Sequence, residues 1–175
     1  MDDIIRLIEP SIPSLRRYAR SLVYDAADAD DLVQDCLERA VGRWSQRREA
    51  SDARSWLFSI LHSLAVSRWR RLSRRGREVS LDVLDEADLA ERATQQDGMN
   101  QSDILRALAA LPQDYRSVLL LVGVEDLSYA QAAMVLDVPI GTVMSRLSRG
   151  RERLAQIMAN GSAAQVRKPR LRRIK

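Results

Sequence analysis

Apolar residues recur every three or four positions along most of the chain, and no stretch of useful length alternates apolar and polar residues. Before residue 75 this spacing appears in three segments, residues 12–23, 28–44 and 55–72. Three amphipathic helices of this length can share one small core. The pattern therefore predicts an all-α fold with a first helical domain over residues 1–75.

A second set of apolar segments begins near Gln101 and ends near Met158. We predict a second small helical domain over residues 101–158. The stretch between the two domains, residues 76–100, is acidic and polar and has no aromatic residue, so we interpret it as a flexible linker. The last stretch, residues 159–175, has no apolar period and is predicted to be a disordered basic tail.

Charge is distributed unevenly along the chain, although the formal net charge is only +4. The net charge is +3 over residues 1–75, −6 over 76–104, +1 over 105–158 and +6 over 159–175. Nearly all of the positive charge is arginine, whose planar fork binds phosphates and guanine edges better than lysine does. An acidic middle thus lies between two basic flanks.

Composition argues against several classes of protein. Cys36 is the single cysteine and His62 the single histidine, which excludes an internal disulfide and leaves both side chains without a visible catalytic partner. The first residues are acidic where a signal peptide needs bases, and no apolar run is long enough to span a membrane. We therefore expect a cytoplasmic protein that is not an enzyme, with no cofactor, no metal, no small-molecule substrate and no membrane insertion.

Residues 128–154 have the layout of a helix-turn-helix. Ser128 and Gln131 form a predicted capping box, and Pro139 suits the first position of the following helix. Residues of that helix form a basic stripe beside its apolar face, with Ser145 further round: Thr142, Arg146, Arg149 and Arg153. Such a helix can contact phosphates and base edges, and the alternative is a helical hairpin with a solvated basic face.

An acidic cluster opens the second predicted helix. It comprises Asp28, Asp30, Asp31 and Asp35, together with Gln34. Three interpretations stay open from these residues alone: Asp28 or Asp30 caps the helix, the cluster binds a divalent metal, or it is a docking face for another protein.

The two blocks together resemble bacterial sigma factors of the extracytoplasmic-function (ECF) type. The string "DADDLVQDCLERAVGRW" and the string "ARSWLFSILHSLAVSRWRRL" resemble domain 2 of that family, and residues 111–154 resemble domain 4. The resemblance implies that domain 2 docks on core RNA polymerase and opens the −10 promoter element, while domain 4 reads the −35 element. It also implies promoter DNA and an anti-sigma factor as partners.

The resemblance assigns candidate site residues to each role. The acidic cluster would be the polymerase-binding face. The −10 contacts would come from the loop before the third helix and from that helix: Arg47, Arg48, Ser51, Ser63, Ser67, Arg68, Arg71 and Arg75. The −35 contacts would come from the basic stripe of the helix-turn-helix and from Ser145.

The chain departs from the family pattern at four positions, two of which are candidate site residues. The family often has Asn at Ser63 and Asp at Ser67, and usually has Glu at Gln131 and Lys at Met144. These departures put the promoter sequence in question more than the role. A rival hypothesis is a helix-turn-helix regulator that does not act as a polymerase subunit, but it leaves residues 25–75 without a task.

Overall fold

The computed structural model describes residues 2–23, 25–47, 52–74, 104 and 106–166, and the regular structure of these residues is helical. This confirms the all-α prediction. Residues 76–100, the predicted linker, lie outside the described residues, as do residues 167–175 of the predicted tail. No helix within the described part of the chain is long and apolar enough to cross a membrane.

Four α-helices form the N-terminal unit, and one of them was not predicted from the sequence. The helices are α1 (Asp2–Ile8), α2 (Ile12–Leu22), α3 (Ala26–Gly42) and α4 (Ala53–Arg74). Short 3₁₀ turns, Glu9–Ser11 and Trp44–Gln46, follow α1 and α3. The helix that the sequence did not predict is α1.

Asp25 caps α3. Its backbone is extended, and its side chain accepts a hydrogen bond from the backbone N–H of Asp28 at 2.9 Å. The capping role considered for Asp28 or Asp30 is therefore wrong, because both residues lie inside the helix. The carboxylates of the acidic cluster therefore do not cap the helix.

The core of the N-terminal unit is built around two aromatic rings. Tyr18 and Phe58 are fully buried, with ring centroids 5.4 Å apart in an edge-to-face arrangement. Leu57 and Leu61 are buried beside them, whereas Trp56 is only partly buried.

Three α-helices form the C-terminal unit, preceded by a helical stretch at residues 106–109. They are α5 (Gln113–Gly123), α6 (Tyr129–Leu136) and α7 (Ile140–Val166). The last helix continues past residue 158, the predicted end of the second domain, and includes part of the stretch predicted to be disordered.

Local sequence signals explain the helix-turn-helix formed by α6 and α7. The predicted capping box is confirmed: the Ser128 hydroxyl accepts from the backbone N–H of Gln131, and the Gln131 side chain accepts from the backbone N–H of Ser128. Asp137 ends α6 with a left-handed backbone, φ 53°. Pro139 directly precedes α7, whose buried face includes Val143, Leu147 and Gly150.

The two units touch along two lines of contact. The first helix of the helix-turn-helix, α6, packs against α4, and α5 meets α2. The chain therefore adopts a closed arrangement in which the N-terminal and C-terminal units share an interface, which we call the junction.

Candidate nucleic-acid interface and protein-binding surface

The acidic cluster lies at the start of α3, and its members differ in their surroundings. Asp30, Asp31, Gln34 and Asp35 are exposed, whereas Asp28 is partly buried and forms an ion pair with Arg68 of α4. Within the described residues no group of three or more His, Cys, Asp or Glu side chains is arranged to hold a metal ion. The cluster is therefore a solvent-facing acidic surface suited to a basic partner.

Two of the exposed cluster residues are tied loosely to neighbouring side chains. Arg16 of α2 approaches Asp30 with 3.7 Å between Nε and Oδ1, and both side chains are more than half exposed. Gln34 donates a hydrogen bond to Glu38 at 3.0 Å. Surface contacts of this kind contribute little to stability, so a partner can replace them at low cost.

The candidate −10 residues divide into three groups. Arg47 stacks over the ring of Trp44, 4.9 Å from its centroid, and Trp44 in turn packs edge-to-face on Trp56. Ser63, Ser67 and Arg71 are exposed and lie four residues apart, so they share one side of α4. Arg68 is turned toward α3 and bonded to Asp28. Three predicted contacts lie outside the described residues: Arg48, Ser51 and Arg75.

Trp69 is a candidate that the sequence analysis did not include among the −10 residues. It lies next to Arg68 on α4 and is 55% exposed, which is unusual for a large aromatic side chain. An exposed ring beside arginines can stack on an unpaired base. The sequence signal was present, because Trp69 follows directly after a candidate arginine.

The candidate −35 residues lie on α7 in two settings. Ser145, Arg149 and Arg153 are exposed, whereas Thr142 and Arg146 are partly buried against the rest of the unit. Arg146 forms an ion pair with Asp114 of α5 at 2.7 Å. The arginine stripe therefore presents its C-terminal members to solvent, while its first arginine is already held by an acid of the same unit.

Next to the exposed arginines is a shallow, open groove of about 240 Å³. It is lined by Tyr115, Arg149, Glu152, Arg153 and Gln156. At the other end of the helix, Ile140 and Met144 expose apolar side chains near the N-terminus, 46% and 48% respectively. Helix N-termini of this motif contact base edges in the major groove, and apolar side chains there can contact thymine methyl groups.

The junction contains residues that the sequence analysis missed. Glu125, in the connection between α5 and α6, is 1% exposed, and its carboxylate accepts hydrogen bonds from Arg17 at 2.7 and 2.8 Å. Arg54 donates to the same carboxylate at 3.3 Å and to the backbone oxygen of Glu125 at 2.7 Å. No local pattern marks Glu125, because its partners are 108 and 71 residues away in sequence.

His62 of α4 also faces the junction. Its Nδ1 is 3.0 Å from the Tyr18 hydroxyl, with which it shares a hydrogen bond. Burial lowers the pKa of His62 to about 4, against an opposing attraction to Asp114, while Arg146 lowers the pKa further. His62 is thus neutral at pH 7.

Cys36 lies in the core of the N-terminal unit and is fully buried. Burial raises the pKa of its thiol to about 12, so the reactive thiolate is not formed at neutral pH. The cysteine behaves as a small apolar side chain.

Comparison with known proteins assigns a family to both units. Residues 8–62 match the family described as the Sigma2 domain of PhyR, and residues 101–154 match Sigma-70, region 4. The ECF RNA polymerase sigma factor EcfG of Rhodopseudomonas palustris is 37% identical over 158 residues, which is 90% of this chain and 83% of the relative. The RNA polymerase sigma factor HrpL of Pseudomonas syringae is 32% identical over 87% of this chain and 85% of its own length.

A solved structure is similar across both units. The sigma factor RpoE of Bartonella quintana, in complex with the anti-sigma factor NepR, superposes with a TM-score of 0.73 at 30% sequence identity. The match covers 91% of this chain and 98% of the other.

Proposed function

The chain belongs to the ECF-type RNA polymerase sigma factors, and from that premise we propose how its residues divide the work of promoter recognition. As a member of that family it is a transcription initiation factor that acts with core RNA polymerase on promoter DNA. We propose that it does so in the cytoplasm and without catalytic activity of its own. The family therefore argues against the rival hypothesis of a helix-turn-helix regulator that does not act as a polymerase subunit. The residue roles below are our proposal.

The N-terminal unit docks on core polymerase through the exposed acids of α3. The observation that supports this is their placement: Asp30, Asp31 and Asp35 face solvent on one short segment of helix, and no metal-binding arrangement within the described residues accounts for them. Charge of one sign on an accessible surface steers a partner of the opposite sign and sets its orientation.

The same unit opens the −10 element through α4 and the loop before it. Ser63, Ser67 and Arg71 form the exposed side of α4, and Arg47 is held in place by Trp44. Holding an unpaired base costs a few kcal/mol, which stacking on an aromatic ring can offset. We add Trp69 to the candidates because its ring is exposed. Arg48, Ser51 and Arg75 stay predicted contacts.

The C-terminal unit reads the −35 element with α7. Arg149 and Arg153 contact phosphates, Thr142 and Ser145 lie near base edges, and Arg146 contacts DNA after exchanging Asp114 for a phosphate. Met144 stands where the family usually has Lys, and Ile140 is a second exposed apolar residue near the start of the helix. Both side chains favour sites that present thymine methyl groups. The acidic residues 76–100 would link the two units through a basic channel of polymerase.

An anti-sigma factor controls the chain in our proposal. The support is the Bartonella quintana RpoE structure, in which a 30% identical sigma factor is bound to the anti-sigma factor NepR. We expect a small partner protein of the NepR kind to contact both units. Co-purification of the tagged chain from its source cells, followed by mass spectrometry, tests this; a chain recovered only with polymerase would count against it.

Reconstituted transcription tests the residue roles. Core bacterial RNA polymerase transcribes fragmented genomic DNA with and without the protein, and the RNA 5′ ends are sequenced. We expect new start sites that share two upstream elements. Asp30→Arg with Asp31→Arg should abolish them, whereas Glu9→Arg, an exposed acid of the same unit outside the cluster, should not. Equal activity of both variants would refute the docking face.

A matched pair on α7 tests the −35 contacts. Arg149→Ala with Arg153→Ala should lower promoter affinity about tenfold or more and should reduce its salt dependence. Arg151→Ala removes an exposed arginine from another side of the same helix and should have a much smaller effect. If the two changes weaken binding equally, the stripe is not the DNA-binding face.

A second function follows from the first family match. PhyR is described as an anti-anti-sigma factor in its complex with NepR, and residues 8–62 of this chain match its Sigma2 domain. The alternative is that this chain is a decoy, which would bind an anti-sigma factor without directing polymerase. The transcription experiment separates the two: a decoy gives no new start sites and releases a different sigma factor from its inhibitor. The exposed arginines of α7 favour the sigma role.

A further inference from the structure

A buried acid joins the two units of the chain. Glu125 belongs to the C-terminal unit, and both of its arginine partners belong to the N-terminal unit, Arg17 to α2 and Arg54 to α4. Arg17 donates hydrogen bonds to both carboxylate oxygens of Glu125. Arg54 donates one to a carboxylate oxygen and one to the backbone oxygen of the same residue. Charge-assisted, two-pronged contacts of this kind are among the strongest and most directional hydrogen bonds in proteins.

The junction buries the side chain of Glu125 but leaves the side chains of Arg17 and Arg54 partly exposed. Their side chains are 52% and 35% exposed, whereas that of Glu125 is 1% exposed. Separating the two units would expose all three charges to water. The ion pairs therefore stabilise the closed arrangement, and their loss favours separation of the units.

Further contacts at the junction place the start of α6 against the start of α4. Gln131, a member of the capping box of α6, donates a hydrogen bond to Asp52 at 3.2 Å. Asp52 in turn accepts hydrogen bonds from the backbone N–H groups of Arg54 and Ser55 at the start of α4. Charged and polar groups thus fix the relative orientation of the two units as well as the distance between them.

The closed arrangement is too small to read both promoter elements. Elements centred near −10 and −35 are separated by roughly 25 base pairs, or about 85 Å at 3.4 Å per base pair. The longest helix among the described residues, α7, has 27 residues and measures about 40 Å. Because α6 packs directly on α4, the units cannot occupy both elements until they separate.

We propose that Glu125, Arg17 and Arg54 form a latch that holds the free chain closed, and that promoter recognition requires its release. The latch in the free chain is inferred from the contacts at the junction alone. The requirement for its release rests on the proposed function. The similarity to Bartonella quintana RpoE supports it: each unit is less than half of the chain, so a match over 91% at a TM-score of 0.73 requires a similar placement of both units, and that sigma factor is bound to an inhibitor.

The latch is tested by measuring the distance between the units in the free, full-length protein. Spin labels or fluorophores are attached at Arg20→Cys and Ala155→Cys, two exposed positions in different units. Cys36 is buried and does not compete for the label. The test variant is Glu125→Gln, which keeps the shape and removes the charge. The matched control is Asp126→Asn, the neighbouring exposed acid.

We expect one short distance in the unmodified chain and in the control. In Glu125→Gln the ratio of open to closed molecules should rise by about 30-fold or more, the lower end for breaking a buried charge pair. If circular dichroism shows that this variant is unfolded, Arg17→Gln with Arg54→Gln takes its place, since both arginines are partly exposed. A short distance retained in a folded variant would overturn the latch.

Transcription with core polymerase provides the second readout. If the latch limits promoter recognition, Glu125→Gln should reach half-maximal transcription at a lower protein concentration than Asp126→Asn does. An open Glu125→Gln variant with an unchanged concentration dependence would overturn the requirement for release of the latch. If no variant supports transcription, the sigma role itself fails, and the distance measurement alone decides whether the latch exists.

Discussion

Arg16 and Arg17 are neighbours on α2, yet they lie in two different regions of the molecule. Successive helical residues point about 100° apart, so Arg16 faces α3 and Arg17 faces the C-terminal unit. Arg16 approaches an acid that is more than half exposed, at 3.7 Å, whereas Arg17 binds one that is 1% exposed, at 2.7 Å. The environment of the acid, not the type of residue, decides what each arginine contributes.

The difference in burial between Asp30 and Glu125 suits the two acids to different roles. Asp30, the partner of Arg16, keeps its access to solvent and is available to another protein. Glu125, the partner of Arg17, is enclosed by this chain. An acidic cluster on the surface therefore serves recognition, while a single acid at the junction serves the arrangement of the two units.

Replacing the arginines gives the largest expected difference. Arg17→Ala with Arg54→Ala leaves Glu125 at the junction without its arginine partners, which destabilises the closed arrangement by about 3–5 kcal/mol. Arg16→Ala removes only a surface pair and should cost less than about 1 kcal/mol. The distance between labels at Arg20→Cys and Ala155→Cys gives the fraction of open molecules in both variants. Equal open fractions would mean that the burial of Glu125 does not make its two arginines more important than Arg16.

Changing the pH tests the contribution of His62, which lies on the side of α4 that packs against Tyr18. The folded-state pKa of His62 is about 4, below its usual 6.5, so the unfolded chain binds the proton more readily. The stability contribution of neutral His62 is complete above pH 6.5 and is lost as the pH falls toward 4, up to about 3 kcal/mol.

The control for the pH experiment is His62→Gln. Tyr18, Asp114 and Arg146 face His62 in the original chain and are unchanged in the variant. Melting temperatures are compared between pH 7 and pH 4.5, and the variant should lose less stability than the original chain. If both lose the same amount, the exposed carboxylates alone cause the acid sensitivity.

Two glycines of α7 extend the comparison to packing. A Cβ at Gly150 would lie 3.2 Å from Leu119 and 3.3 Å from Tyr115, whereas a Cβ at Gly141 would meet nothing within 4 Å. Gly150→Val should therefore destabilise the C-terminal unit by about 1–3 kcal/mol through overpacking. Gly141→Val should change stability by less than about 1 kcal/mol. Thermal denaturation of both variants checks this, and a tolerated Gly150→Val would show that α5 can move away.

Two serines give the smallest expected difference. Ser128→Ala removes the side chain that caps α6 and should cost about 1 kcal/mol. Ser145→Ala removes an exposed hydroxyl of α7 that bonds only to the carbonyl of Thr142 among the described contacts, and its effect should be near zero. Equal stabilities in denaturant would mean that the capping box contributes nothing measurable.

Much of the fold was predictable because it depends on residues close together in sequence. Helical spacing identified α2 to α7, and the capping box of α6 was read directly from Ser128 and Gln131. The sequence left Asp28 and Asp30 as candidate caps of α3, and the cap is Asp25, because three acids lie close together at the start of that helix.

The sequence alone therefore determined the helices, the helix-turn-helix and the family, since each follows from local patterns. Only the tertiary structure decided which acids stay exposed, that Arg146 is held by Asp114, and that Glu125 lies between Arg17 and Arg54. The physical reason is distance along the chain. A contact between residues 71 or 108 positions apart depends on how two finished units pack, and no local period records it.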